Sequence, residues 1–456
     1  MKDSRLALAL ALLAGASIAS CSGAGGGSSP TVGAPTAPPP GVTTPSAIAT
    51  TGASATPGTT ATPAHTASPV ATGTPAAGPT PTMPPAANSA LVFAPGFSGV
   101  VAGNVNGARE LVSLPNGDLL IGTSSQTLYI LPNADAPTSG GKPQPFITLS
   151  EGPAQGVTYS SVSGAIYAAT NTTIWEIPYT PGARSASVAN AIAHVRTGPV
   201  APNSDGDVHT TTSVAVSGST LYAGVGSSCN ACIEVDPTRA SVQQMTLTGA
   251  NMTRLAENSR NPIALAVNPA TGSLWIGGAG QDDLPYTHPY EYFDSPTLRG
   301  TSNVNYGWPA CEEDHVLYNP LNQSPPPDCS QTVAPLIEFD AYATLIGATF
   351  YPANQTGSYV FPAAYRGGIF IGSHGSWHCC PATPPRVYFV PMNGDAPATA
   401  VNWSDPTVQH SDFVSGFGST ANTSYIGRPT GVAVGSNGSL FFADDQTGNI
   451  IRIRHS

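Results

Sequence analysis

One segment of the chain carries a cation before one apolar run and carboxylates after the next. It reads SRNPIALAVNPATGSLWIGGAGQDDL, with Arg260 and Asn261 opening the first run and Asp282 and Asp283 following the second. A guanidinium stabilises negative charge that develops on an oxygen, and Ca²⁺ prefers carbonyl and carboxylate oxygens as ligands. The segment therefore holds the groups of a candidate active site, provided that a fold brings its two ends together.

Strand–turn–strand units like this one recur along the chain, and a third strand such as TLYILP or IIRIRH often follows. The units begin at Ala108, Ala154, Thr210, Asn261, Leu345 and Gly427. Short strands with Gly-rich turns indicate an all-β protein, and a repeat of roughly 45 to 55 residues is typical of propeller blades. One blade cannot bury both of its faces alone, so we predict a six-bladed β-propeller.

Residues just before the inner strand of each blade gather at one mouth of a propeller's central channel. These positions are Arg109, Gln155, His209, Arg260 and Arg428. We therefore predict that cations, an amide and an imidazole, all distant in sequence, converge there. The segment 282–335 is expected to form long loops on one face, and loops of that length are usually functional.

The N-terminus predicts export and lipid attachment. Residues 1–20 have basic residues followed by LALALALLAGASIAS, which is too short for a spanning helix and ends in small residues. The run stops at IASC, a lipobox pattern in which Cys21 would carry the lipid; a chance cysteine after an ordinary signal peptide is the alternative. Several acyl chains give lasting anchorage. Ser22 favours the outer membrane, on its periplasmic side or at the cell surface.

The next segment, residues 21–90, is rich in Pro, Thr, Ala, Gly and Ser and has almost no charge, so we predict a disordered linker. Residues 91–456 are then the propeller domain. The chain has few charged residues and a net charge of −11, and it shows no basic patch, which argues against a nucleic-acid partner.

Six cysteines remain after Cys21, and an exported chain favours disulfides over zinc. They are Cys229, Cys232, Cys311, Cys329, Cys379 and Cys380. Pairing each with its nearest neighbour is one of fifteen arrangements. The sequence CNACI lacks the histidine of a c-type haem site, so an electron acceptor would have to be external.

Several motifs together resemble the quinoprotein sugar dehydrogenases, among them the soluble glucose, aldose and sorbosone dehydrogenases. The motifs are RNP, NYGWP, YRGGIFIGSHGSW and GRPTGVAV, with GSSCNAC similar to the sorbosone branch. The resemblance spans residues 91–454. It implies a six-bladed propeller that binds pyrroloquinoline quinone (PQQ) and Ca²⁺ and oxidises an aldose or a sorbosone-like sugar.

The resemblance also implies roles for individual residues. His209 matches the catalytic base that takes the hydroxyl proton, and imidazole suits that task because its pKa lies near the operating pH. Arg260 and Asn261 match the pair beside the quinone carbonyl. A histidine that is merely hydrogen-bonded at a strand start, and an arginine that satisfies a loop carboxylate, are the structural alternatives.

Further matches concern the metal and the carboxylates of the cofactor. Gly280 and Gln281 align with the turn whose backbone carbonyls hold calcium, and Asp282 and Asp283 are candidate side-chain ligands or simply a solvated acidic loop. Candidates to bind the cofactor's carboxylates or ring are Arg428, Arg109, His374 and Trp377. Trp308 is a second stacking candidate, although a buried structural tryptophan is equally consistent with its sequence.

The chain departs from the quinoprotein pattern in two places. The propeller domain has a single lysine, Lys142, in an unrelated loop, and HGSWHCCP lacks the arginine that often follows HGSW in the sorbosone branch. His378 and Arg386 are candidates to compensate. Two rival functions therefore stay open: a calcium-dependent six-bladed lactonase or esterase, and a propeller without cofactor that binds a glycan or a partner protein.

Overall fold

The computed structural model describes residues 84–137, 141–202, 204, 206–284, 287–377 and 381–455. The predicted signal peptide, Cys21, most of the linker, His378, Cys379 and Cys380 lie outside these ranges. Within them, the helices are single 3₁₀ turns at Pro296–Leu298, Cys329–Gln331 and Ala363–Tyr365. No helix of this part is long and apolar enough to cross a membrane.

Six antiparallel sheets, each with a core of four strands, form the blades. The first strands of the chain are β1 (Val92–Phe93) and β2 (Phe97–Asn104). Blade 1 contains β3 (Ala108–Ser113), β4 (Leu119–Thr123), β5 (Thr127–Leu131) and β6 (Gln144–Thr148). Blade 2 contains β7 (Gly156–Ser160), β8 (Ala165–Ala169), β9 (Thr173–Pro178) and β10 (Asn190–His194).

Blades 3 and 4 surround the insertion. Blade 3 contains β11 (Thr212–Ser217), β12 (Thr220–Val225), β13 (Ser241–Thr246) and β14 (Thr253–Glu257). Blade 4 starts with β15 (Ala264–Val267), β16 (Leu274–Gly277) and β17 (Glu291–Asp294). The insertion adds β18 (Val304–Asn305), β19 (Cys311–Glu312) and β20 (Val316–Leu317), and β21 (Ile337–Phe339) completes blade 4.

The last two blades contain the C-terminal part of the chain. Blade 5 contains β22 (Leu345–Phe350), β23 (Ile369–Ser373), β24 (Arg386–Val390) and β27 (Ser411–Ser415), with a hairpin of β25 (Met392–Asn393) and β26 (Ala396–Pro397). Blade 6 contains β28 (Pro429–Val434), β29 (Leu440–Asp444) and β30 (Asn449–His455). The prediction of a six-bladed β-propeller is confirmed.

The ring closes by pairing the two ends of the domain. Strand β2 is the outer strand of blade 6, where it runs antiparallel to β30 from Phe97 opposite His455 to Asn104 opposite Asn449. Blades 6 and 1 are also joined by Asp135, whose carboxylate accepts from the backbone N–H of Asn437 at 2.8 Å. The repeat count did not predict that β2 completes blade 6. Residues of the predicted linker contact β2 as well, since Val101 N–H donates to Pro85 O at 2.8 Å.

Second strands of the blades are buried along their whole length because a neighbouring blade covers each face. All residues of β4, β8 and β29 are buried. Sharp turns with glycine at positive φ connect inner to second strands, as at Gly117 (φ 83°) and Gly438 (φ 92°). The strand pattern that the sequence showed therefore reflects burial on both faces.

The insertion is more ordered than the sequence predicted. Segment 282–335 was expected to be loops, but β17 lies within it as the third strand of blade 4, and β18 adds in parallel to β14 of blade 3. The expectation failed because β17 has only four residues, EYFD, and lies between Pro-containing turns. Both nearest-neighbour disulfides within the described residues are present, Cys229–Cys232 and Cys311–Cys329.

Replacing Phe413 with alanine is expected to lower the free energy of unfolding by about 3–5 kcal/mol. Phe413 is 1 % exposed and packs edge-on against Phe97 and Phe370, so it ties blade 5 to the closing strand β2. Denaturant unfolding measures the loss. Val162→Ala, at a position 65 % exposed, is the control. A loss below about 1 kcal/mol in Phe413→Ala would contradict this packing argument.

Candidate active site

The predicted site residues share one rim of the channel. His209, Arg260 and Arg428 precede the inner strands β11, β15 and β28, and His374 and Asp445 follow the second strands β23 and β29. Because inner and second strands are antiparallel, the start of one and the end of the next lie at the same edge. The fold thus brings these distant residues to one mouth.

His209 is held as a neutral imidazole with one nitrogen available. Its Nδ1 lies 2.9 Å from the carbonyl oxygen of Ser227 and 3.0 Å from that residue's Oγ. A carbonyl oxygen only accepts, so Nδ1 carries the hydrogen and Nε2 presents its lone pair. Among the described residues, no protein group is hydrogen-bonded to Nε2. This arrangement can take up a proton.

The surroundings of His209 keep it unprotonated. Burial lowers the pKa of His209 well below its usual value, and the positive charge of Arg260, followed by Arg196 and Arg239, lowers it further. The hydrogen bond to Ser227 opposes the shift. The imidazole is therefore in its basic form at neutral pH.

Asn261 offers an unpaired polar group next to His209. The side chain is 7 % exposed, and its Oδ1 is buried without a hydrogen-bond partner. A Cβ at Gly226 would lie 2.4 Å from this Oδ1 and 2.6 Å from Cβ of His209, so only glycine fits between them. An unpaired buried amide is costly unless a ligand satisfies it, which marks this corner as a binding position.

Arg260 is buried and uses most of its donors within the protein. Nη1 donates to Gly280 O at 2.5 Å, and Nη2 donates to Asp282 Oδ2 at 2.7 Å. Nε and Nη2 also donate to the backbone and side-chain oxygens of Asn230 at 3.1 and 3.0 Å. This network is consistent with both interpretations of Arg260: a cation that stabilises charge on a ligand, and an arginine that satisfies a loop carboxylate.

Gly280 and Gln281 were predicted to bind calcium through backbone carbonyls, and Asp282 and Asp283 through side chains, and the side chains around this turn are mostly engaged elsewhere. The Gln281 side chain is buried and donates to Pro309 O at 2.7 Å, away from the mouth, and Asp283 is exposed. Both carboxylate oxygens of Asp282 are engaged, one by Arg260 and the other by Trp377 Nε1 at 2.8 Å. Only the backbone carbonyls of the turn remain as predicted ligands, and that of Gly280 already accepts from a guanidinium.

Arg109 and His374 both bind Asp445, a residue that the sequence analysis did not single out. Arg109 Nη1 donates to Asp445 Oδ2 at 2.6 Å, and His374 Nε2 lies 2.9 Å from Asp445 Oδ1. Although burial opposes the shift, the hydrogen bond from His374 and the charge of Arg109 lower the pKa of Asp445 to about 2. Burial lowers the pKa of His374 to about 4, so the ionised Asp445 faces a neutral imidazole.

Arg428 is the rim cation without a carboxylate partner. Its guanidinium donates to the backbone oxygens of His374 and Gly375, each at 2.8 Å. No ion pair involves it within the part of the chain that the structure describes. Gln155 Nε2, at the same rim, is buried and also unpaired. These groups leave positive charge and a donor for an anionic ligand.

The two tryptophans differ in exposure. Trp377 is 61 % exposed at the rim, so its ring can contact a ligand. Trp308 is 3 % exposed, and its Nε1 donates to Asn230 O at 3.1 Å, which makes it a structural residue. Sequence reasoning missed Asn230 and Asp445. The signal for Asp445 was its place directly after a second strand, at the position equivalent to His374.

The fold and the rim define a six-bladed β-propeller with a cationic mouth that contains two neutral histidines, His209 and His374. The chain belongs to the TrAA12-like family, whose model matches residues 91–456. This confirms the resemblance to the quinoprotein sugar dehydrogenases at the level of family and fold.

Solved structures share the propeller at low sequence identity. A family AA12 carbohydrate-active enzyme from Trichoderma reesei is 18 % identical, with 82 % of this chain and 98 % of that chain covered and a TM-score of 0.65. The PQQ domain of pyranose dehydrogenase from Coprinopsis cinerea, in its holo form, is 16 % identical (82 % and 99 % covered, TM-score 0.65). PQQ-bound aldose sugar dehydrogenase from Streptomyces coelicolor is also 16 % identical (80 % and 99 %, TM-score 0.52).

A curated relative from Borreliella burgdorferi, described as uncharacterized, is 24 % identical over 245 residues. That alignment covers 51 % of this chain and 56 % of the relative, so the chain spans about half the length of the curated protein it matches.

The His209 ring is expected to stay neutral as the pH falls through 6.5. Its pKa in the folded chain is depressed, so the neutral form is lost only when the pH falls below that lower value. Titration of ¹⁵N-labelled histidine side chains by NMR measures this, with His209→Gln to assign the signal. Protonation of His209 at or above pH 6.5 would contradict the buried, arginine-flanked environment.

Proposed function

We propose that the chain is a PQQ-dependent dehydrogenase that oxidises an aldose or a sorbosone-like sugar at a CH–OH group. The observation that carries the proposal is the neutral His209, whose Nε2 is available beside Arg260 and the unpaired Asn261. Family membership and the PQQ-binding structural neighbours support the same reaction class.

The rim residues fit a quinone that bears carboxylates. Arg428 has no carboxylate partner and Gln155 Nε2 is a buried, unpaired donor, so an anionic ligand with ring carbonyls would supply acceptors to groups that the protein leaves open. Asn261 Oδ1 is an unpaired acceptor and would need an N–H or O–H donor of the ligand. Arg428 would bind a carboxylate, and Arg260 and Asn261 would face the ring. Arg109 and His374 are tied to Asp445, so we assign them to shaping the rim.

When bound, PQQ accepts the hydride from the sugar carbon. His209 Nε2 would take the proton of the sugar hydroxyl, so that the C–O bond gains its double-bond character as the hydride leaves. The Ser227 carbonyl stabilises the resulting imidazolium through Nδ1–H. Arg260 would supply positive charge next to the ring, where negative charge develops. Trp377 is the candidate platform for the sugar ring.

No step above is routed through calcium. The predicted ligands are the backbone carbonyls of Gly280 and Gln281, and Arg260 already donates to Gly280 O. The carboxyl groups of Glu291 and Glu312 accept from the Gly280 N–H and the Gln281 side chain, so oxygen ligands surround this turn, and calcium binding there stays a prediction.

A lactonase is not favoured by this rim. That chemistry needs several free carboxylates at the mouth, whereas Asp282 and Asp445 are each paired with an arginine, and the amides of Gln155 and Asn261 alone do not replace them. A propeller that only binds a glycan or a protein would leave the poised Nε2 of His209 without use.

Attachment and localisation follow from the N-terminal sequence. Cys21 would be lipidated after removal of residues 1–20, and the linker would tether the propeller outside the cytoplasm, where an external acceptor reoxidises the cofactor. Labelling with radioactive palmitate, compared between the wild type and Cys21→Ala, tests the lipid; equal labelling of the two would overturn it.

His209→Ala is expected to lower kcat for PQQ-dependent dye reduction by roughly 10²–10⁴-fold, because the step loses its base. PQQ affinity, measured by calorimetry, should stay near that of the wild type. His194→Ala, at an exposed position on β10, is the matched control. A panel of aldoses with a dye acceptor provides the assay. Undiminished turnover in His209→Ala would refute the assigned base.

Arg428→Ala is expected to weaken PQQ binding by roughly 10–100-fold, the loss of a charge-assisted contact. Calorimetric titration with PQQ gives the dissociation constant. The control is Arg366→Ala, in the β22–β23 connection at the opposite end of blade 5. If both variants bind PQQ as the wild type does, Arg428 is not the anion-binding group. If the wild type folds but neither binds PQQ nor reduces dye, the cofactor assignment fails.

A further inference from the structure

We infer that Asn230 is a positioning residue for Arg260. We also infer that the segment Ser227–Cys232, which contains the Cys229–Cys232 disulfide, sets the geometry of the reactive rim. The inference rests on the proposed function. It concerns a residue that touches neither cofactor nor substrate in the assignment above but acts through the guanidinium that does.

Asn230 binds Arg260 from two sides. The backbone oxygen of Asn230 accepts from Arg260 Nε at 3.1 Å, and its Oδ1 accepts from Arg260 Nη2 at 3.0 Å. Two acceptors on one residue fix both the place and the plane of a guanidinium, since its N–H groups form a rigid fork. Trp308 Nε1 donates to the same backbone oxygen and holds it from behind.

The same side chain also fixes the other partner of Arg260. Asn230 Oδ1 accepts from the backbone N–H of Asp282 at 2.9 Å, and its Nδ2 donates to the backbone oxygen of Asp282 at 3.1 Å. This paired contact aligns the turn that presents Gly280 O and Asp282 Oδ2 to Arg260. One carboxamide therefore orders both sides of the Arg260 network.

The segment that carries Asn230 also orients His209. Ser227 supplies both contacts to His209 Nδ1, and its Oγ donates to Cys229 O at 2.6 Å. Cys229 and Cys232 are bonded to each other, so the backbone around Asn230 is closed into a small ring. Both cysteines are buried. A single short segment after β12 thus sets the spacing between the base and the cation.

Neutrality is part of the role of Asn230. Arg260 is the charged group that lowers the pKa of His209 most, after burial itself. A carboxamide binds the guanidinium without cancelling its charge, whereas an aspartate would add a negative charge at the same distance. Asn230→Asp should keep the acceptors to Arg260 and yet raise the pKa of His209.

The test compares Asn230→Ala, Asn230→Asp and the control Asn190→Ala, an exposed asparagine on β10. For Asn230→Ala we expect kcat to fall about 10–100-fold with the sugar KM nearly unchanged, since a misplaced catalytic group mainly affects the reacting state. Combined with Arg260→Ala, the loss should not exceed that of Arg260→Ala alone. Asn230→Asp should move the acidic limb of kcat/KM to higher pH.

A readout without activity separates this inference from the proposed function. The crystal structure of folded Asn230→Ala is expected to show Arg260 displaced from Gly280 O, and NMR should show a raised His209 pKa in Asn230→Asp. The inference is overturned if Arg260 keeps its position in Asn230→Ala and the His209 pKa is unchanged in Asn230→Asp, whether or not the wild type oxidises sugars. If the wild type does not bind PQQ but the two variants show these changes, the proposed function is refuted and the positioning role is supported.

The disulfide gives a second, independent variant. Cys229→Ser with Cys232→Ser is expected to reproduce the kcat loss of Asn230→Ala while PQQ affinity stays within about threefold of the wild type. If that double variant fails to fold, the Asn230 series decides alone. Fully additive losses in the Asn230 and Arg260 double variant would also overturn the inference, because they would mean that Asn230 acts elsewhere.

Discussion

Closure of the ring by β2 and β30 is the constraint on which the rest of the structure depends. His209 and Arg260 belong to blades 3 and 4, and Arg428 and Asp445 belong to blade 6, so no local segment holds all four together. They share a rim only because each blade packs on the next and the first and last strands pair. Bringing such distant segments together costs chain entropy. Burial between the blades, where whole strands are covered on both faces, offsets that loss.

The blades could be predicted from the sequence because their strands repeat a burial pattern that a single unit displays. The rim positions followed from the same repeat, since Gln155, His209, Arg260 and Arg428 each precede an inner strand, whereas Arg109 is the second residue of β3. Closure through β2 could not be predicted that way, because FSGVVAGN resembles any other strand and its partner lies at the far end of the chain. In the insertion, β18 was hidden for the same reason, because it pairs with the distant β14, whereas β19 and β20 form a local hairpin of only two residues each.

Partners within the site were the harder part to predict. His209 and Arg260 were recognisable by type and position, but their orientation depends on Ser227 and Asn230, and that of Arg109 and His374 depends on Asp445. These are ordinary polar residues whose role exists only in the folded rim. Asp282, a candidate side-chain ligand for calcium, illustrates the converse, since it stands next to the predicted turn in sequence while its carboxylate binds Arg260 and Trp377.

The cations of the rim are arginines, in a chain whose net charge is −11. The partners of each arginine show how the folded chain accommodates them. Arg109 and Arg260 each have a carboxylate partner, so their charge is largely compensated inside the fold. Arg428 donates to backbone oxygens and lies over the ring of Tyr425, and burial lowers its pKa although the charge of Asp445 opposes the shift, which means that the folded state bears a desolvation cost. A ligand anion would offset that cost, so the proposed binding of a carboxylate by Arg428 and the proposed uptake of a proton by His209 would involve different blades of the ring.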